Sequence, residues 1–165
     1  MKHKSTMFGN FIALLATAHK DQVDKGGKPY FLHCMRVAMR LRTEDEELMA
    51  MAIGHDGIED GVVTEEQLVA VGATPRIMAG LRLLTHDPNE PYQDYIERIA
   101  TSYDAIRVKI EDIRDNSDIT RMKPLSSATT YDIENQEAKR IARIQKYQTA
   151  YTYLTEARKR FEVLA

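Results

Sequence analysis

The stretch Met51-Ala-Ile-Gly-His-Asp-Gly-Ile-Glu-Asp60 runs an apolar helical segment into an adjacent His55-Asp56 pair, and a second acidic pair, Glu59-Asp60, follows at once. Leu48, Met51, Ala52 and the small Gly54 mark that helix as buried. A buried helix does not carry an imidazole and then three carboxylates to its end without compensation. A bound cation is the simplest compensation. Imidazole and carboxylate together suit Mn, Fe or Zn, whereas Ca and Mg favour oxygen ligands alone. The competing reading is bland: His-Asp is a common dipeptide, and an acidic run after a helix is usually a solvated loop. The residues on either side have to decide.

Upstream, Thr43-Glu-Asp-Glu46 has the spacing of a capping box, with Thr43 as N-cap, and starts the helix that delivers His55 and Asp56. Further back, residues 6–21 carry Phe8, Phe11, Ile12, Leu15 and Ala18 at helical spacing, which sets His19 and Lys20 near a helix C-terminus. The run Asp21-Gln-Val-Asp-Lys-Gly-Gly-Lys-Pro29 contains helix-ending glycines and a proline and reads as a basic loop. A second helix begins near Tyr30, with His33 in its first turn.

Downstream, Thr64-Glu-Glu-Gln67 repeats the capping pattern, and Thr74-Pro75 puts proline in the first turn of another helix. The helical pattern breaks over residues 85–91 and resumes at Tyr92, as a hairpin or lid would. From Asp104 to Asn116, Ile106, Ile110 and Ile113 give an apolar face; Asp112 and Asn116, four apart, share one side of it. After a polar loop at 124–130, a stripe from Ile141 through Tyr147, Tyr151 and Leu154 to Leu164 predicts a long final helix over about 133–164. Such a stripe serves equally to pack in the core or to pair with another subunit. No segment alternates as a strand does, so the expected fold is all-α, one domain over 1–165.

The 165 residues are 43% hydrophobic with a formal net charge of −2, a composition that suits a single globular core and offers no general basic field for nucleic acid. The expected partner is a small molecule. The one cysteine, Cys34, excludes an intramolecular disulfide framework and a cysteine-rich zinc module. Phe11-Ile-Ala-Leu-Leu-Ala16 is too short to span a membrane and lacks a signal-peptide cleavage region, so the expected location is cytoplasmic.

His33 on one helix, His55-Asp56 ending the next and Asp112 on a later one form a His…His-Asp…Asp set that resembles the HD superfamily of metal-dependent phosphohydrolases. Ala18-His-Lys-Asp-Gln22 with Lys25-Gly-Gly-Lys-Pro-Tyr-Phe-Leu-His33, then His55-Asp-Gly-Ile-Glu-Asp60, then Val108-Lys-Ile-Glu-Asp-Ile-Arg-Asp-Asn116 resemble, in order, three motifs of the hydrolase domain of RelA/SpoT homologues. The similarity covers roughly residues 10–122 and looks most like the stand-alone small alarmone hydrolases. It implies His33, His55, Asp56 and Asp112 as metal ligands, with Mn²⁺ the expected ion, and Glu59 and Asp60 as the catalytic acidic pair. It also implies Lys25 as a basic substrate contact, Asn116 at the ribose and Tyr30 close to the pocket. Lys20, Lys28 and Arg114 are further candidates to balance phosphate charge.

Three positions depart from the family pattern: Asp24 stands where an arginine is usual, Gly61 where threonine often follows, and Asp115 where histidine usually precedes the asparagine. The implied activity is release of pyrophosphate from the 3′-position of a guanosine or adenosine alarmone, with Asp24 leaving the base open. The alternatives are an HD-type nucleotidase acting on another nucleotide and a nucleotide-binding HD protein without turnover. The Glu59-Asp60 pair speaks against the last, since a pure binder has no need of a proton shuttle.

Overall fold

In the computed structural model, which describes residues 6–24, 26–121 and 130–163, every regular element is helical. In chain order these are α1 (Met7–Ala18), α2 (Phe31–Arg40), α3 (Glu46–Gly54), α4 (Glu65–Ala70), α5 (Pro75–Leu84), α6 (Tyr92–Ile99), α7 (Tyr103–Asn116) and α8 (Thr130–Val163). A 3-10 turn, Ile119–Arg121, follows α7. Val23 and Pro29 make one antiparallel bridge that pinches the loop between α1 and α2.

Helix α3 lies at the centre because its sequence leaves it no polar face: Leu48 and Ala50 through Gly54 are all buried. It packs against α1, α2, α5 and α7. Small residues let neighbours come close, and a methyl group at Gly80 of α5 would meet Met51 Sδ at 2.4 Å. Helix α7 buries Ile106, Ile110 and Ile113 as its spacing predicts, and it also buries Glu111, Asp112 and Asp115. Carboxylates inside a helical core require partners, and those partners lie at one end of α2, α3 and α7.

The final helix starts at Thr130 and packs on α6 and α7. Ala150, Leu154 and Ala157 enter the core, and Tyr147, Tyr151 and Phe161 pack at its edge. Ile141 remains 48% exposed, so the C-terminal part of the predicted stripe is the part that packs. Leu164 and most of the predicted 124–130 loop lie outside the described residues.

The expected caps at Thr64, with a complete capping box to Gln67, and at Thr74, with Pro75 at the first position, are present. The cap of α3 is shifted. Thr43 Oγ1 accepts from the Asp45 amide, and Asp45 is itself the N-cap, accepting from the Glu47 and Leu48 amides at 3.1 and 3.2 Å. A carboxylate offers a negative charge to the helix N-terminus and a second oxygen to Arg76, which also binds Glu47 and Asp104.

Asp45→Ala removes the cap and one anchor of Arg76, and the expected cost is about 1–2 kcal/mol by urea unfolding. Its hydrogen bond with Arg76, together with the helix amides, holds the Asp45 carboxyl below its ordinary value of 3.8 against the opposing effect of burial. The folded protein then binds fewer protons than the unfolded chain. The stabilisation is complete above the ordinary value and is lost as pH falls through the folded one, so wild type and Asp45→Ala converge in acid.

Candidate metal centre and active site

His33, in the first turn of α2, His55, just past the end of α3, and Asp112 on α7 come together, with one ligand atom of each lying within 4.8 Å of the others. All three residues are buried. His55 Nδ1 donates to the Ala52 carbonyl at 2.8 Å, the ordinary acceptor one helical turn back, and His33 Nδ1 donates to Asp115 Oδ2 at 2.6 Å. With Nδ1 engaged, each ring turns Nε2 inward, and neither Nε2 makes a well-aligned hydrogen bond although carboxylate oxygens stand 3.0–3.5 Å away. Two buried ring nitrogens aimed at one point, with carboxylates around them, could hold a divalent cation.

Asp112 Oδ1 stands 3.2 Å from His33 Nε2 and 3.5 Å from His55 Nε2. Asp56 Oδ2 stands 3.5 and 3.0 Å from the same atoms and accepts from the Tyr30 hydroxyl at 2.5 Å. Asp56 is thus as close to the two Nε2 atoms as Asp112 is, although the group whose ligand atoms all lie within 4.8 Å of one another holds only His33, His55 and Asp112. Burial lowers the pKa of His33, but Asp112, Asp115 and Asp56 outweigh it and push it up to about 11. Asp56 and Asp112 likewise push His55 up to about 9 against its burial. The same excess of negative charge is what a cation would neutralise.

His33, Asp56 and Asp112 line a cavity of about 260 Å³. Tyr30, Glu59, Asp60 and Asn116 all line it. Glu59 is held by the His86 backbone N–H at 2.9 Å, which ties it to the 85–91 segment. Asp60 accepts from Gln22 at 3.4 Å, and Gln22 in turn contacts His19 Nδ1. Burial and the charge of Asp56 raise the Asp60 carboxyl above the usual value. Asn116 Nδ2 donates to Asp112 Oδ1 at 2.5 Å, so it borders both the ion site and the cavity.

The other cations divide. Lys20 is exposed beside Asp21 and does not line the cavity, and Arg114 turns to Glu111 and Tyr151 on another face. The Lys28 side chain is not among the lining groups either, and Lys25 lies outside the described residues. The cavity cations are instead Lys109, Arg121 and Arg143, with Tyr147 one turn beyond Arg143. Lys109 and Asp112, three apart on α7, form an ion pair at 2.7 Å that their spacing could have suggested. Nothing local in the sequence marks Arg121.

Two of the departures acquire reasons. Gly61 has φ +66°, a backbone region costly for threonine, and it closes the turn with its amide on the Ile58 carbonyl. Asp24 presents no naked charge to the cavity: it is 6% exposed and receives the Gly26 and Lys28 amides at 2.9 Å and Arg121 at 2.6 Å.

No family model matches the chain, and no curated protein matches it. A solved structure does. The chain has the fold of a metazoan ortholog of SpoT. That protein hydrolyses ppGpp and plays a role in starvation responses; the likeness has a TM-score of 0.67 at 22% identity and covers 97% of this chain and 98% of that one. The all-α architecture expected from the sequence is thus the one the chain adopts. Among the described residues no helix is long and apolar enough to cross a membrane.

Proposed function

We propose that the protein is a metal-dependent phosphohydrolase that removes the 3′-pyrophosphate of a guanosine or adenosine alarmone. The observation that carries this reading is the convergence of the buried Nε2 atoms of His33 and His55 with Asp112, beside a cavity that His33, Asp56 and Asp112 line. His33, His55, Asp112 and Asp56 would hold the ion, and their mixed nitrogen and oxygen set favours Mn²⁺ or a similar metal over Mg²⁺ or Ca²⁺. Such an ion, when bound, acts as a Lewis acid that makes water nucleophilic near neutral pH.

The chain's own residues do the rest. Asp60, whose carboxyl is raised above its ordinary value, and Glu59, fixed by the His86 amide, take and pass on the proton of the attacking water. The lining holds Lys109, Arg121 and Arg143 among seven carboxylates, and Lys109 and Arg121 are already paired with Asp112 and with Asp24 and Asp115, so a bound cation would have to supply much of the positive charge that a pyrophosphate needs. Tyr30 and Tyr147 offer aromatic surface to a base, and Asn116 a polar amide to a ribose. The fold shared with a ppGpp-hydrolysing protein supports the substrate class.

The test is product analysis by anion-exchange chromatography after incubating Mn²⁺-loaded protein with guanosine and adenosine alarmones side by side. The expected result is release of pyrophosphate from at least one of them, absent with His55→Ala. Loaded protein that turns over neither substrate but hydrolyses simple nucleoside monophosphates would establish the nucleotidase reading instead.

A further inference from the structure

The Asp115 side chain is fully enclosed, and no step above uses it. One oxygen, Oδ2, accepts from His33 Nδ1 at 2.6 Å. The other, Oδ1, accepts from Arg36 Nε at 2.9 Å and lies 3.2 Å from Arg40 Nη1. Arg121 donates to the Asp115 carboxylate and, at 2.7 Å, to its backbone carbonyl. Three guanidinium groups, those of Arg36, Arg40 and Arg121, thus surround the Asp115 carboxylate, and their charge favours its ionised form.

An ionised carboxylate can only accept hydrogen bonds. It therefore fixes the proton of His33 on Nδ1 and leaves Nε2 to face the ion site; a ring turned over would set a lone pair against the Asp115 charge. The backbone carbonyl of Ala52 does the same for His55. The two anchors differ in reach. Asp115 continues through Arg121, whose Nη2 donates to Asp24 Oδ2 at 2.6 Å, and Asp24 gathers the Gly26 and Lys28 amides of the loop that walls the cavity. The loop also sits hard on this arginine's backbone, because a methyl group at Gly26 would meet the Arg121 carbonyl oxygen at 2.4 Å. Asp24 and Asp115, two of the positions that depart from the family pattern, are the two ends of one guanidinium bridge.

We propose that Asp115 is the positioning residue of the ion centre, setting His33 Nε2 as a ligand, and that Arg121 couples this anchor to the Asp24 loop on the substrate side. The proposal rests on the cation reading above. Asp115→Asn keeps the volume and removes the charge, and the expected loss in Mn²⁺ affinity is about 10–100-fold, read by competition with a fluorescent chelator. Arg121→Gln should weaken Mn²⁺ binding less and should also raise KM, because it frees the loop as well as the anchor.

A second readout needs no variant. In Zn²⁺-loaded wild type, ¹⁵N shifts of the histidine rings should give His33 a proton on Nδ1 and the metal on Nε2. Asp115→Asn that binds Mn²⁺ as tightly as wild type, or His33 found coordinating through Nδ1, would overturn the proposal while leaving the cation reading intact. Wild-type protein that binds neither ion would overturn both.

Discussion

Asp112→Ala will abolish ion binding and turnover and, measured without metal, will lower the unfolding free energy by about 3–5 kcal/mol, the cost of leaving a buried charge without its partner. The stranded charge is Lys109. Its Nζ lies 2.7 Å from Asp112 Oδ2, its side chain is 13% exposed, and Asp112 holds its pKa well above the ordinary value against strong desolvation. Asn116 loses its 2.5 Å acceptor in the same substitution. Stability and catalysis can be separated, because adding Lys109→Met removes the unpaired charge and fills the space with a flexible apolar chain. The double variant should recover most of the lost stability in urea unfolding and none of the Mn²⁺ affinity. Equal instability of the single and double variants would mean that Lys109 is not held by Asp112 in the way the 2.7 Å contact implies.

This pair marks where sequence reasoning reached and where it stopped. Helical periodicity found α1, α2, α5, α6, α7 and α8, because each buries an apolar stripe, and an apolar run without a polar face found α3. The candidate ion site was legible because its members are of uncommon type for a core: His33 near a helix start, His55-Asp56 at a helix end, and Asp112 between Ile110 and Ile113. The cap of α3 was misplaced by two residues since Thr43 and Asp45 both have the right chemistry, and only the tertiary partner Arg76 favours the carboxylate.

Contacts distant in sequence were illegible for a physical reason. Asp24 and Arg121 are 97 residues apart, and no local pattern predicts which arginine will meet a loop aspartate. Arg143 and Tyr147 share the stripe face of α8, so periodicity describes them as core edge. What turns them into cavity wall is the docking of α8 on α6 and α7. Lysines suffered the opposite fate: Lys20 and Lys28 were attractive by position in the loop, while the enclosed Lys109 was hidden within a helix.

Asp60→Asn and Glu59→Gln will each lower turnover by about 10²–10⁴-fold, the usual range for a lost general acid or base, while Mn²⁺ affinity stays close to that of wild type. Neither residue belongs to the group of His33, His55 and Asp112, which is why binding and turnover should part company. The two variants should differ in pH dependence. Burial and the neighbouring Asp56 raise the Asp60 carboxyl above its ordinary value of 3.8. A proton acceptor must be ionised, so the acid limb of kcat/KM should lie above that value in wild type and Glu59→Gln and should vanish in Asp60→Asn. Stability gives an independent check of opposite sign to that at Asp45. A raised carboxyl pKa makes the folded state bind more protons than the unfolded one, so stability falls as pH climbs from 3.8 through the folded value. Above that window, metal-free Asp60→Asn should be more stable than wild type, since it no longer keeps a carboxylate beside Asp56. An Asp60→Asn protein that turned over at the wild-type rate, or that was destabilised near neutral pH, would remove Asp60 from the proton path.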